Sequence, residues 1–188
     1  MKSKVSTLMY FATLLLVAMT ASADEFDDTI SIFKNAGESG TFFQNSYGYA
    51  VFPTVGKAGL GVGGAHGSGR AYAQGKHVGD VKVTQLSIGL QAGGQAFSQI
   101  VFFQDKRAFD EFASGSFEFD ATVQAVAITA SATASAGTTG AAAGAAGGKK
   151  DAATAGKYHK GVAVFTVAKG GLMYQAAVGG QKFNYKAK

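Results

Sequence analysis

The sequence predicts an α+β fold, mainly β: an antiparallel, strongly coiled sheet or a small barrel, with an N-terminal amphipathic helix and one short internal helix. Three observations predict it. Apolar residues take the period of strands from Tyr47 onward. Glycines crowd residues 56–72, where strands bend or backbones approach closely. Helical spacing is confined to two short stretches, near 25–36 and just after Asp105.

The elements follow in chain order. Lys2 and Lys4 precede an almost wholly apolar run, Val5–Ala18, and Ala21-Ser22-Ala23 then offers a small-residue cleavage pattern. That order is a secretory signal peptide over 1–23, and the run is short of the about 20 apolar residues a spanning helix needs. An exported chain, periplasmic or associated with the cell envelope, is therefore expected, with one domain over 24–188. There is no cysteine, so no disulfide, thiolate metal site or cysteine nucleophile exists, and the core alone must hold the fold. The net charge is +5, and loss of Lys2 and Lys4 leaves 15 basic against 12 acidic residues, or +3. That is too mild for a nucleic-acid binder.

Phe26, Ile30, Phe33 and Gly37 share a helical face, and Asp24, Glu25, Asp27 and Asp28 suit the positive end of a helix over 25–36. Tyr49–Phe52 reads as a short strand, with Pro53 marking its end or a bulge. Two long strands, 82–91 and 95–104, flank Ala92-Gly93-Gly94, which reads as a hairpin turn. Asp105 is placed to cap a two-turn helix carrying Phe109 and Phe112, ended by Gly115. Thr122–Thr129 alternates well enough for a strand. Residues 135–157 are low in complexity, rich in alanine and glycine, and are expected to form a mobile loop. Strands at 161–167, 172–178 and 182–186 complete the chain. The segment Val51–Leu60 is echoed by Val164–Leu172, and in both a lysine and glycines separate apolar residues. The spacing predicts a turn at each.

The candidate sites differ in strength. Gly59-Leu60-Gly61-Val62-Gly63-Gly64 matches G-x-G-x-x-G, but a dinucleotide site needs a helix after the glycines, and no apolar stripe at helical spacing follows. The glycines belong to a hairpin instead. His66, His77 and His159 lack metal-ligand spacing, and no serine sits in a G-x-S-x-G elbow. Asp110 and Glu111 are helix neighbours facing different ways, and read as solvated side chains, not as a paired acid and base. No enzyme, cofactor or metal site is read from these residues. The basic residues are the better lead: Lys57, Arg70, Lys149, Lys150, Lys157, Lys160 and Lys169 would, if gathered at one end, attract an anionic surface by about 1 kcal/mol per charge. The plain alternative is that they are solvated lysines in turns.

YAVFPTVGKAGLGVGGAHGSGRAY, VTQLSIGLQAGGQAFSQIVFF, AFDEF and AVFTVAKGGLMYQAAVGG, spread over about 29–185, closely resemble the SYLF domain, also called the Ysc-type actin-binding domain. The resemblance implies a β-rich domain with flanking helices that binds lipid, phosphoinositides in eukaryotic members, and actin in some fungal ones. Two features depart from the family. Residues 24–45 carry a net −4, where an amphipathic membrane-binding segment is expected, and no tryptophan occupies the turn near 80–86. For an exported chain the expected ligand is anionic phospholipid or lipopolysaccharide. The rivals are a protein-interaction or scaffolding module with an envelope partner, and a small outer-membrane barrel. No lipid-facing band with aromatic girdles supports the barrel.

Overall fold

The structure is a computed structural model and describes residues 25–119, 123, 125–128, 157–171, 178 and 180–188. The expected signal peptide lies outside these residues. So do most of the strand expected at 172–178 and all of the expected loop except Lys157. Helix α1 covers 25–35, and two one-turn helices follow, α2 (Gly37–Gly40) and α3 (Phe42–Asn45). The remaining elements are β1 (Gly48–Ala73), β2 (Lys76–Phe103), α4 (Lys106–Phe112), β3 (Ser116–Glu118), β4 (Ala125–Ile128), β5 (Val162–Gly171) and β6 (Gln181–Ala187).

One long hairpin is the frame of the molecule. β1 and β2 pair antiparallel from Gly48↔Phe103 to Ala73↔Lys76. The turn between them is Gln74-Gly75, both left-handed at φ 50° and 78°, which suits the twist of a tight hairpin. Straight, the 26 residues of β1 would run roughly 85 Å. A compact chain of this length has a radius of gyration of about 16 Å. The hairpin must therefore fold over on itself. It does so at one corner, where the register shifts between Leu60↔Ala92 and Val62↔Ile88.

Glycine makes the corner possible. A Cβ on Gly59 would lie 2.3 Å from the Cα of Gly63, so the strand doubles back within four residues. Beyond the corner, a Cβ on Gly69 would meet the Phe52 ring at 2.5 Å and the Val51 carbonyl at 2.6 Å, so the two arms of β1 cross in direct contact. The expectation of a hairpin within 56–72, and of a turn at Ala92-Gly93-Gly94, is thereby corrected. Both glycine runs lie inside continuous strands and bend together. The turns expected at Lys57 and Lys169 are likewise strand, in β1 and β5, and the two echoed segments flank β2 on opposite sides. Pro53 does sit in a bulge, between Phe52↔Gln99 and Val55↔Phe97, with its carbonyl accepting from Ser98 Oγ at 2.7 Å.

β2 is the spine. Its other edge pairs with β6 over Gly79–Gln85 and with β5 over Gln95–Phe103, and β3 and β4 extend those two wings. Among the described residues the six strands form one open sheet. Three expectations are settled by this. The fold is mainly β with few helices, the sheet is not closed into a small barrel, and it is mixed instead of purely antiparallel. β4 runs parallel to β5, from Ala125↔Val164 to Ile128↔Val167. A parallel pair needs a crossover of a dozen residues or more, and residues 129–161 separate these two strands.

The folded sheet has an inner and an outer apolar layer. Between the wings, Phe52, Val55, Val81, Val83, Val101, Phe103 and Phe183 meet Phe109 and Phe112 of α4. Asp105 caps α4 through its side chain, which accepts from the Ala108 N–H at 2.8 Å. On the outer face, Ile30 and Phe33 of α1 and Phe42 of α3 cover Val51, Ile100, Phe102 and Phe165.

Candidate functional site

Strand alternation sends every second residue of β1 and β2 into the inner layer. Along β2 those positions are Val81, Val83 and Gln85 before the corner and Gln95, Phe97, Gln99, Val101 and Phe103 after it. Along the first arm of β1, Val55 is followed two residues later by Lys57. Approaching the corner, the inner layer therefore changes from aromatic to polar. Gln99 and Gln181 meet there, fully buried, in a reciprocal amide pair at 2.8 and 3.1 Å. That pair satisfies itself, as a buried polar pair must.

Beyond the pair the layer opens into a cavity of ≈ 880 Å³. Lys57, Ala65, Gln85 and Gln95 line its interior, and Leu86, Glu118 and Lys182 lie nearer its mouth. Lys57 is only 9 % exposed, and among the described residues its ammonium has no hydrogen-bond or ion-pair partner. Burial pulls its pKa below the ordinary lysine value, with no neighbouring charge opposing the shift. Both amide atoms of the Gln95 side chain are buried, and among the described residues neither has a partner. Glu118 and Lys182 pair at 3.4 Å on the rim. At the corner itself three large apolar side chains among the described residues stand in solvent: Leu60 at 81 %, Val62 at 64 % and Leu86 at 83 %.

The predicted basic residues are dispersed. Lys57 lines the cavity. Arg70 lies over the Phe26 ring at 4.1 Å, and Lys169 reaches Glu25 at 3.4 Å and Thr54 at 2.9 Å. Those two therefore meet the first turn of α1, Arg70 through a ring and Lys169 through a carboxylate. Lys157 and Lys160 are exposed just before β5, and Lys160 stands nine residues from Lys169, roughly 30 Å along a strand. Lys149 and Lys150 lie outside the described residues. Asp110 and Glu111 face different ways as expected, each paired with a cation one turn back, Lys106 at 2.6 Å and Arg107 at 3.4 Å.

Sequence reasoning missed Leu60, Val62, Leu86, Lys182 and Gln95. A signal for Gln95 existed, since glutamines at 85, 95 and 99 continue the inward alternation of Val81, Val83, Phe97 and Val101. The exposed apolar residues gave none, because their outward facing depends on the corner.

Fold and site define a class: a mainly β, open-sheet protein with a small-molecule-sized cavity at a glycine-built corner. No family model matches the chain. It is similar to Beta cell expansion factor A of Aeromonas veronii, at 28% identity over 156 residues, which are 82% of this chain and 51% of that protein. The chain thus spans about half the length of the curated relative it matches.

Proposed function

We propose that this chain is a non-enzymatic, exported protein of SYLF type that binds anionic lipid through its corner. The observation that carries the reading is the exposed trio Leu60, Val62 and Leu86 beside a cavity mouth bearing Lys182. Soluble domains rarely leave several large apolar side chains in water at one bend of the chain without a partner for them. Each Leu or Val moved from water into hydrocarbon contributes about 1.5–3 kcal/mol. A lysine near an anionic bilayer adds about 1 kcal/mol. The apolar corner therefore contributes more to binding than the charge does, and the preference for an anionic surface falls chiefly to Lys57, since Lys182 is already paired with Glu118 at 3.4 Å on the rim. The basic cluster expected from sequence plays a smaller part in this reading, since Arg70 and Lys169 are engaged by α1.

Cosedimentation with neutral and anionic vesicles, at low and high salt, tests the proposal. Binding is expected to favour anionic vesicles, to weaken with salt because exposed charges are screened, and to persist in part through the corner. Leu60→Ser/Val62→Ser/Leu86→Ser should remove most of that remainder. Absence of binding to every vesicle, lipopolysaccharide-doped ones included, would sink the lipid reading and leave the protein-interaction module.

A further inference from the structure

We propose that the corner cavity is a site for one molecule of a monoanionic, carboxylate-headed amphiphile, its head held by Lys57 and the Gln95 amide and its chain directed toward the apolar corner. The inference deepens the lipid reading and rests on it for the ligand's chain alone. The head-group site rests on separate observations.

The first is the state of Lys57. The Lys57 side chain is 9 % exposed and lines the cavity, no described residue forms an ion pair with its ammonium, and burial pulls its pKa down. Nothing in the packing requires a cation there: the corresponding inner positions of β1, Val55 and Ala65, are apolar. The second is Gln95, whose amide N–H and carbonyl are both buried and both without partners. Buried polar groups left unpaired in a protein mark a place where something else supplies the hydrogen bonds. Two such groups lining one cavity point to the same ligand.

The charge of that ligand can be counted. Among the described lysine and carboxylate side chains lining the cavity, which also holds the exposed His66 imidazole, Glu118 and Lys182 neutralise each other at 3.4 Å and leave Lys57 as the one uncompensated charge. A single negative charge balances it. A dianionic phosphate would leave a charge over, with Glu118 on the rim opposing it. A carboxylate presents two oxygens, one for the Lys57 ammonium and one for the Gln95 N–H, and charge-assisted bonds of this type are the strong ones. The size fits as well, since ≈ 880 Å³ lies within the about 300–1,000 Å³ of small-molecule sites. Ala58, Ala65 and Leu86 add apolar wall to the same cavity.

The test is calorimetric titration of the full chain with decanoate below its micelle concentration, with acetate and decanol as controls. The expected result is one decanoate per chain, with acetate and decanol each weaker by about tenfold or more, since head and chain each contribute. Lys57→Met should weaken decanoate by about tenfold or more, and Lys57→Arg should restore most of the loss. Equal affinity for decanoate and decanol, equal affinity of the Lys57→Met variant, or acetate binding as tightly as decanoate would each overturn the proposal. Should Lys57→Met fail to fold, decanoate labelled at its carboxyl carbon reports on the unaltered protein by NMR. Its bound carboxyl is expected to titrate at lower pH than the free acid, and a value raised by burial alone would contradict a Lys57 contact. The two proposals fail separately. Vesicle binding without decanoate binding sinks the cavity site alone, and decanoate binding without vesicle binding sinks the surface reading alone.

Discussion

The two ends of the inner layer are made of different material although the same strands build both. At the α4 end, Phe103, Phe112, Phe117, Phe119 and Phe183 interlock with ring centroids 4.5 to 6.3 Å apart. At the corner end, Gln99 and Gln181 close the apolar layer, and beyond them lie Lys57, Gln95 and open volume. Stability resides at the first end. The second gives up packing for a polar cavity, the arrangement a binding site needs.

The largest expected effect tests the aromatic end. Phe183 is fully buried against Phe52, Phe112 and Phe119, so Phe183→Ala should cost about 3–5 kcal/mol, read by urea unfolding. A loss below about 1 kcal/mol would mean that the rings are not the anchor.

Next comes the crossing of the two arms. Gly69→Ala would place a methyl 2.5 Å from the Phe52 ring and 2.6 Å from the Val51 carbonyl. Overpacking of this kind costs about 1–3 kcal/mol, and here backbone must move as well as a ring. A lowered melting temperature is expected. An unchanged one would show that the arms do not touch.

The glutamine pair marks the boundary between the two ends. Gln99→Ala strands the Gln181 amide in a buried place and should cost about 1–3 kcal/mol. Gln99→Leu/Gln181→Leu removes both partners and should recover most of that loss, since an apolar pair of similar shape leaves nothing unsatisfied. If the double variant is no better than the single one, the pair does more than satisfy itself.

These expectations also show how much of the molecule was legible in its sequence. Helix α4 was legible because its cap, its two inward rings and its terminal glycine are local signals. The β-rich class was legible from alternation. The topology was not, because glycine signals a turn and a sharp bend in a strand alike. Nothing local distinguishes Gly93, at φ 140° inside β2, from a hairpin glycine. The actual hairpin, Gln74-Gly75, is shorter and plainer than the glycine runs on either side of it. The parallel pairing of β4 was equally hidden, since it is a contact across residues 129–161. Of the site, Lys57 was visible as a lysine among glycines. Its burial was not, because that follows from which face of β1 turns inward at the corner.

A smaller effect concerns pH. Lys57 is depressed by burial from 10.5, so the unfolded chain binds its proton more tightly than the folded chain does. Stability should therefore rise with pH from the lowered folded value up to 10.5, as the cost of burying the charge is relieved. Tyr49 and Tyr158, held up to about 12 by burial, act in the opposite sense above 10.0. Lys57→Met keeps both tyrosines. The difference between the melting curves of the two proteins across alkaline pH should thus isolate the lysine, and a flat difference would mean that Lys57 is solvated.

The most direct test of a corner end built for binding is the equilibrium unfolding free energy of Lys57→Met at neutral pH without ligand. Methionine keeps the length and apolar stem of lysine and removes a charge that burial disfavours and that no described residue pairs. Stability equal to or above that of the parent chain is expected. A loss as large as that expected for Gln99→Ala, about 1–3 kcal/mol, would contradict it and make Lys57 a structural residue.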